Sequence, residues 1–374
     1  MRVMILEDDP WIADLLKQIV LSIRPAAQID CFGEVQGAVA AWQQAAYQLV
    51  LADWNLPDAS GISLLQKIRE RDRATPLVMI TGRSDRQSVM TVRPLGVSAF
   101  ITKPFDVPRV AQCLATLLPP DEGTPAASVI RESFPEYLAG LPASALDIPL
   151  LEQVKEKLQA GYQGENLEVR RLAADWQHDP ALSAHLLAAA NSPAYLGAGQ
   201  QCTSLNDALQ RLGARTSVSL AAGFALKQAR SQPNMLLKLM VQEHLDAAER
   251  LADQVVTLAR QCGLEPATLQ TAAMLHRMGE LCVIYEAQEW ENSGNSIDEG
   301  VLLQAVAKFS APLAIKLKAQ WGLPMVLREL IGAVYALPSA HVRREQVLMR
   351  LAAALNNGEP AETIERLRRL AGLA

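Results

Sequence analysis

Short apolar runs and helix-period stretches alternate through roughly the first third of the chain. Val3–Leu6, Gln28–Phe32, Leu49–Ala52, Leu77–Ile80 and Ala99–Thr102 read as strands. Between them lie amphipathic stretches such as Ile12, Leu15, Leu16, Ile19, Val20 and Ile23, spaced i, i+3, i+4 as one helix face requires. Strands alternating with helices predict βαβ units, whose right-handed crossovers build a doubly wound five-stranded parallel sheet. Ligands of such sheets sit beyond the carboxyl ends of the strands, so the residues closing each apolar run are where chemistry is expected.

Past residue 118 the pattern changes. Residues 119–130, rich in Pro, Gly and small side chains, read as a linker. Beyond it no strand pattern is convincing, and alanine and leucine dominate. Asp179-Pro180 supplies an N-cap with proline in the first helical position, ahead of the apolar run Leu182–Ala190. Ser204-Leu205-Asn206-Asp207 has the form of a capping box, and Gly213 marks the stop. The expectation is α/β followed by all-α: a sheet domain over 1–118, a helical domain over 131–337, and helices extending it over 338–374.

At 374 residues, half hydrophobic and a fifth charged, the composition fits two or three soluble domains. No apolar run approaches the roughly 20 residues of a membrane span. The opening MRVMILEDDP lacks the apolar stretch of a secretory signal. A cytoplasmic protein without membrane insertion is expected. The five cysteines are scattered and never spaced C-x-x-C, which argues against both a disulfide framework and a zinc site. Charges balance over residues 1–120, and the remainder carries the whole net charge of −5. A net-negative second half argues against nucleic acid as a partner. The arginines at 343, 344, 350, 366, 368 and 369 read as solvated helix faces.

The strand ends of the first domain carry the chemistry. Glu7 and Asp8 follow the first apolar run, Asp53 the third, Thr81 the fourth and Lys103 the fifth. Three carboxylates in one pocket repel each other, and a divalent cation keeps them ionised. Oxygen ligands beside a phosphate favour Mg2+. Asp53 can then attack a phosphoryl donor in line, with the Lys103 ammonium and the Thr81 hydroxyl on the phosphoryl oxygens.

The strings LEDDP, LADWNLPDASG, MITG and FITKPF resemble the receiver domains of bacterial response regulators over residues 1 to about 118. The resemblance implies that Glu7 and Asp8 are the acidic metal pair, Asp53 the phosphoacceptor, Thr81 the switch hydroxyl and Lys103 the lysine before a frequently cis proline, Pro104. It also implies a backbone carbonyl from Asn55 on the metal, and Phe100 at the aromatic switch position. LEDDP contains three consecutive acids, so Asp8 and Asp9 are an alternative pair; Glu7 and Asp8 are preferred because they follow the strand directly.

The helical half resembles the HDOD family, a degenerate relative of HD-type phosphohydrolases, over roughly residues 134–337. DPALSAHLLAAANSPAYLGAGQQCTSLNDALQRLGARTSVSLAAG at 179–223 carries the match, supported by TAAMLHRMGEL and QWGLP. Active HD domains hold metal through adjacent His and Asp. Here His276 remains, but Arg277 stands in the aspartate slot, and the segment after Trp321 ends in Val334-Tyr335 where active relatives place histidines. An upstream histidine slot falls on Glu243, with His244 one residue away. No HDOD metal site is expected. The dipeptide His178-Asp179 reads as a helix cap, His185 and His341 as packing or surface residues, and Asn191-Ser192-Pro193 as a helix end and turn.

The resemblances together imply a two-component response regulator, phosphorylated by a sensor histidine kinase or phosphotransfer protein and acting on an output protein through a non-catalytic domain. The rivals are an HD-type phosphodiesterase acting on a cyclic nucleotide, and a nucleotide-binding module. A homodimer stays open.

Overall fold

The computed structural model describes residues 1–82, 92–118, 133–160, 168–197, 199–229 and 234–373. The linker expected over residues 119–130 lies outside them. Two compact units emerge. One comprises Met1–Ala126, Lys157–Gln163 and Arg215–Arg230, and the other Ala127–Glu156, Gly164–Ala214 and Ser231–Ala374.

The first unit is built on five parallel strands, β1 (Arg2–Leu6), β2 (Gln28–Phe32), β3 (Leu49–Asp53), β4 (Leu77–Thr81) and β5 (Ala99–Thr102), in the order β2-β1-β3-β4-β5. β3 and β4 are buried at every position, and the continuous apolar runs reflect helices on both faces of the sheet. One face packs α1 (Pro10–Ile23) and the Val107–Leu117 helix through Leu15, Leu16, Ile19, Val110 and Leu114. The other packs α2 (Val35–Gln44) and α3 (Ile62–Arg69) through Val35, Ala38, Leu64, Leu65 and Ile68. Asp53 and Thr81 are the last residues of their strands rather than the first beyond them. The ladder continues past both: Trp54 N–H donates to the Ile80 carbonyl at 2.9 Å, and Lys103 N–H to the Thr81 carbonyl at 2.7 Å.

A helix from the second half, Ala214–Gln228, belongs to this first unit from Arg215 onward. Ala222 joins the core cluster containing Leu15 and Phe105, and the Ser219 hydroxyl donates to the Phe105 carbonyl at 2.7 Å. Gly223 permits the approach, because a Cβ there would stand 2.2 Å from Leu15 Cδ1.

The second unit contains no strand among its described residues. Its caps follow the sequence pattern. Asp179 accepts from Leu182 N–H at 2.8 Å to open Pro180–Ala190, and Ser204 with Asp207 closes a capping box ahead of Leu205–Leu212. Gly213 ends that helix at φ 75°. The Glu299–Gln320 helix is long and apolar enough by length and composition to cross a membrane, at a mean hydropathy of 1.3. This differs from the expectation that no apolar stretch approaches span length, because Lys308 and Pro312 interrupt the pattern while the window average stays high.

Candidate functional site

The sheet order reverses between β1 and β3, and this switch point is where the acidic residues meet. β1 pairs with β3 through Leu6 and Ala52, so Glu7 and Asp53 emerge side by side. Oxygens of Glu7, Asp8 and Asp53 lie within 4.8 Å of one another; Glu7 and Asp53 are buried and Asp8 is exposed. Lys103 reaches over from the end of β5, and its Nζ stands 2.7 and 2.6 Å from the two Glu7 oxygens and 3.0 Å from Asp53 Oδ2. The bond between Lys103 and Pro104 is cis. Asp53 Oδ1 accepts from Trp54 N–H at 2.7 Å, which fixes the carboxylate from its other side. Thr81 is fully buried at the end of β4, and Phe100, partly buried on β5, packs against the α2–α3 core. Asn55 is exposed and bridges to Ser60 in the loop after β3. Asp9 turns away from the pocket and caps α1 through Trp11 N–H at 2.9 Å, leaving Glu7 and Asp8 as the pair facing Asp53.

Burial, reinforced by Asp53, pushes the Glu7 carboxyl up to about 7 despite Lys103. Burial works against the Lys103 ammonium, but attraction to Glu7 and Asp53 outweighs it and holds the lysine above its ordinary value. Three carboxylates face one ammonium, so the pocket carries an excess of negative charge. Oxygens sharing one Mg2+ lie at most about 4.2 Å apart, so the three carboxylates fit that ion after closing by a few tenths of an ångström.

Two further residues shape the pocket, and both lie in the string LADWNLPDASG. Gly61 folds the loop back onto β3: its N–H donates to the Trp54 carbonyl at 3.0 Å, and a Cβ would stand 1.9 Å from the Asp53 carbonyl oxygen. Asp58 accepts from Val35 and Gln36 N–H at 3.0 Å each, tying the loop to the start of α2. The glycine and the acid were visible as turn residues, but their partners, distant in sequence, were not.

In the second unit, His276 and Arg277 sit between the Ala267–Leu275 and Met278–Asn292 helices. Burial drives His276 down to about 4, so its ring is neutral; it donates Nδ1–H to the Ala273 carbonyl at 2.6 Å. Its Nε2 accepts from Arg277 Nε at 3.3 Å, and Arg277 Nη1 reaches His244 Nδ1 at 3.4 Å. Of the two upstream residues, His244 reaches this cluster, whereas Glu243 is exposed. A one-residue offset on a helix turns a side chain by about 100°. Arg277 also stands 3.7 Å from Glu280. His178 and Asp179 part company. His178 lies 3.4 Å from Glu249 near the surface, whereas Asp179 is fully buried and accepts from Leu151 and Leu182. His185 is a packing residue with a partner, Asp147, at 3.0 Å. Asn191 ends its helix and exchanges hydrogen bonds with the backbone of Cys202.

The doubly wound sheet with an acid triad and a lysine at its switch point defines a response-regulator receiver domain. Residues 3–115 match the response regulator receiver domain and residues 148–337 the HDOD domain. The chain is 31% identical over 121 residues to the response regulator protein PilR of Pseudomonas aeruginosa, covering 31% of this chain and 26% of that protein. It is 33% identical over 78 residues to the chemotaxis protein CheY1 of Helicobacter pylori, covering 19% and 63%. The HemR receiver domain of Leptospira biflexa, a solved structure, aligns at 24% identity over 31% of this chain and 92% of that one, with a TM-score of 0.29. The chain thus spans less than two thirds of the length of either curated relative. With the HDOD match covering just over half its length, the chain belongs to the HDOD family, and it carries a receiver domain ahead of that match.

Proposed function

We propose that Asp53 accepts a phosphoryl group from a sensor histidine kinase or phosphotransfer protein, and that the HDOD domain passes the state on through protein contacts without catalysis. The observation that carries this reading is the Lys103 ammonium bridging Glu7 and Asp53, with Asp8 beside them, at the sheet's switch point. Glu7, Asp8, Asp53 and the Asn55 carbonyl would hold Mg2+, which supplies charge neutralisation for the incoming phosphoryl group. The chain's own residues do the rest. Asp53, held by Trp54 N–H and Lys103, forms the new P–O bond as the donor's bond to phosphorus breaks and the leaving group takes up a proton. Lys103 follows the charge onto the phosphoryl oxygens, and the Thr81 hydroxyl moves toward them. Phe100, on the neighbouring strand, adjusts to the space that Thr81 leaves.

The Ala214–Gln228 helix supports transmission. It lies within the HDOD match yet packs on α1 and the Phe105 carbonyl in the receiver's own unit. A non-catalytic HDOD domain is supported by Arg277, whose guanidinium takes the place of a metal-ligating carboxylate and repels cations. A protein output partner follows from that reading. Fluoroberyllate with Mg2+, a phosphoryl mimic, tests transmission by hydrogen exchange on the full chain. Altered protection is expected around Asp53 and along Ala214–Gln228; a response confined to the Asp53 pocket would overturn transmission through this helix. Phosphorylation shifts populations by its differential affinity, so the change is modest, about 1–3 kcal/mol.

A further inference from the structure

Beside His276 the second unit holds a cavity of about 250 Å³. Three arginines line it, Arg250, Arg277 and Arg350, against one carboxylate, Glu359, which is already committed to Arg350 at 2.7 Å. Arg277 is held by two rings that accept its N–H groups, His276 and His244. Burial keeps both rings neutral, so they orient the guanidinium without cancelling its charge. A fixed cation, with Glu280 3.7 Å from it, therefore lines a concave space that also carries the charge of Arg250 and that of Arg350 paired with Glu359.

The lining also includes an aromatic ring. Tyr335 is 60% exposed, yet its hydroxyl is anchored to the His276 carbonyl at 3.0 Å, so the ring is held with surface to offer. Asn356 and Asn357 add amides at the rim. Guanidinium forks match phosphate oxygens, and an anchored ring stacks a planar base. The volume sits just below the usual 300–1,000 Å³ of small-molecule sites, which suits one nucleotide unit and not two.

We propose that this cavity is a metal-independent binding site for a mononucleotide, with the phosphate on Arg277, Arg250 and Arg350 and the base against Tyr335. The proposal is independent of phosphorylation at Asp53.

The test is calorimetric titration of the full chain with adenosine and guanosine mono- and diphosphates, adenosine, guanosine and pyrophosphate. EDTA is present throughout, to keep Mg2+ from carrying phosphate to the Asp53 pocket. Saturable one-to-one binding of at least one nucleotide is expected, weakening as salt rises, with the nucleosides silent. Arg277→Gln should lower the affinity at least tenfold. The exposed Arg250→Ala, which poses no folding risk, should lower it severalfold. Tyr335→Ala should weaken the nucleotide but leave pyrophosphate unchanged. No binding by any nucleotide at millimolar concentration overturns the proposal, as does binding that survives both arginine substitutions. Equal loss of pyrophosphate and nucleotide in Tyr335→Ala overturns the assignment of the base to that ring.

Discussion

Asp179 offers a quantitative test of the helical unit, because the same side chain is a cap, a buried acid and half of a His-Asp dipeptide. Its two oxygens satisfy Leu182 N–H at 2.8 Å and Leu151 N–H at 2.9 Å, with no exposed surface. Burial pushes its pKa from 3.8 up to about 6, only partly offset by those hydrogen bonds and by His185. A raised acid binds its proton more tightly folded than unfolded. Its contribution to stability is complete below about pH 3.8 and is lost as pH rises through about 6. The rise corresponds to about 3 kcal/mol in all, of which roughly half falls between pH 5 and 8. Asp179→Asn removes the titration and places an amide donor against Leu151 N–H, a pH-independent cost of about 1–3 kcal/mol. Urea unfolding, followed by the fluorescence of the fully buried Trp176, should show the wild-type advantage over Asp179→Asn shrinking by roughly 1–2 kcal/mol from pH 5 to 8. Asp179→Ala, which strands both N–H groups, should cost about 3–5 kcal/mol. Parallel pH profiles for wild type and Asp179→Asn, or an alanine cost below about 1 kcal/mol, would refute the cap assignment.

Three other outcomes follow from the same geometry. Lys103→Ala should still label with acetyl phosphate and Mg2+, yet lose the fluoroberyllate-induced change in exchange along Ala214–Gln228; a full response in the variant contradicts the role of Lys103 in transmission. The full chain, with Mn2+ supplied, should turn over cyclic di-GMP or a generic phosphodiester no faster than His276→Ala does, and faster turnover would sink the non-catalytic reading. Gly223→Val forces a branched side chain against Leu15, which should speed exchange in α1 and in Ala214–Gln228 by the equivalent of about 1–3 kcal/mol while Asp53 still labels; unchanged exchange contradicts the packing of that helix.

The sheet was legible in the sequence because parallel strands covered on both faces leave continuous apolar runs, and each predicted strand lies within one residue of its observed place. The approach of Glu7, Asp8, Asp53 and Lys103 followed from topology alone, since residues closing strands of one parallel sheet share an edge. Helix caps such as Asp179-Pro180 and Ser204 were equally local signals. What stayed hidden depends on partners far along the chain. Nothing in Ala214–Gln228 announces that it packs with α1, because small residues such as Ser217, Ser219, Ala222 and Gly223 blur its amphipathic face. The choice between Glu243 and His244 depended on helix rotation, and the role of Arg277 on which rings it reaches. Tyr335 could be seen as a missing histidine, but not as the wall of a cavity.

The central claim is that Asp53 takes up phosphate with the help of this acidic pocket. Incubation of the full chain with acetyl phosphate and Mg2+, read by intact mass and by peptide mapping after borohydride reduction of the acyl phosphate, tests it most directly. One phosphoryl group at Asp53 is expected in the wild type, none in Asp53→Asn, and none in Glu7→Ala/Asp8→Ala. Equal labelling of Asp53→Asn, or labelling of the wild type that proceeds unchanged in EDTA, would contradict the account.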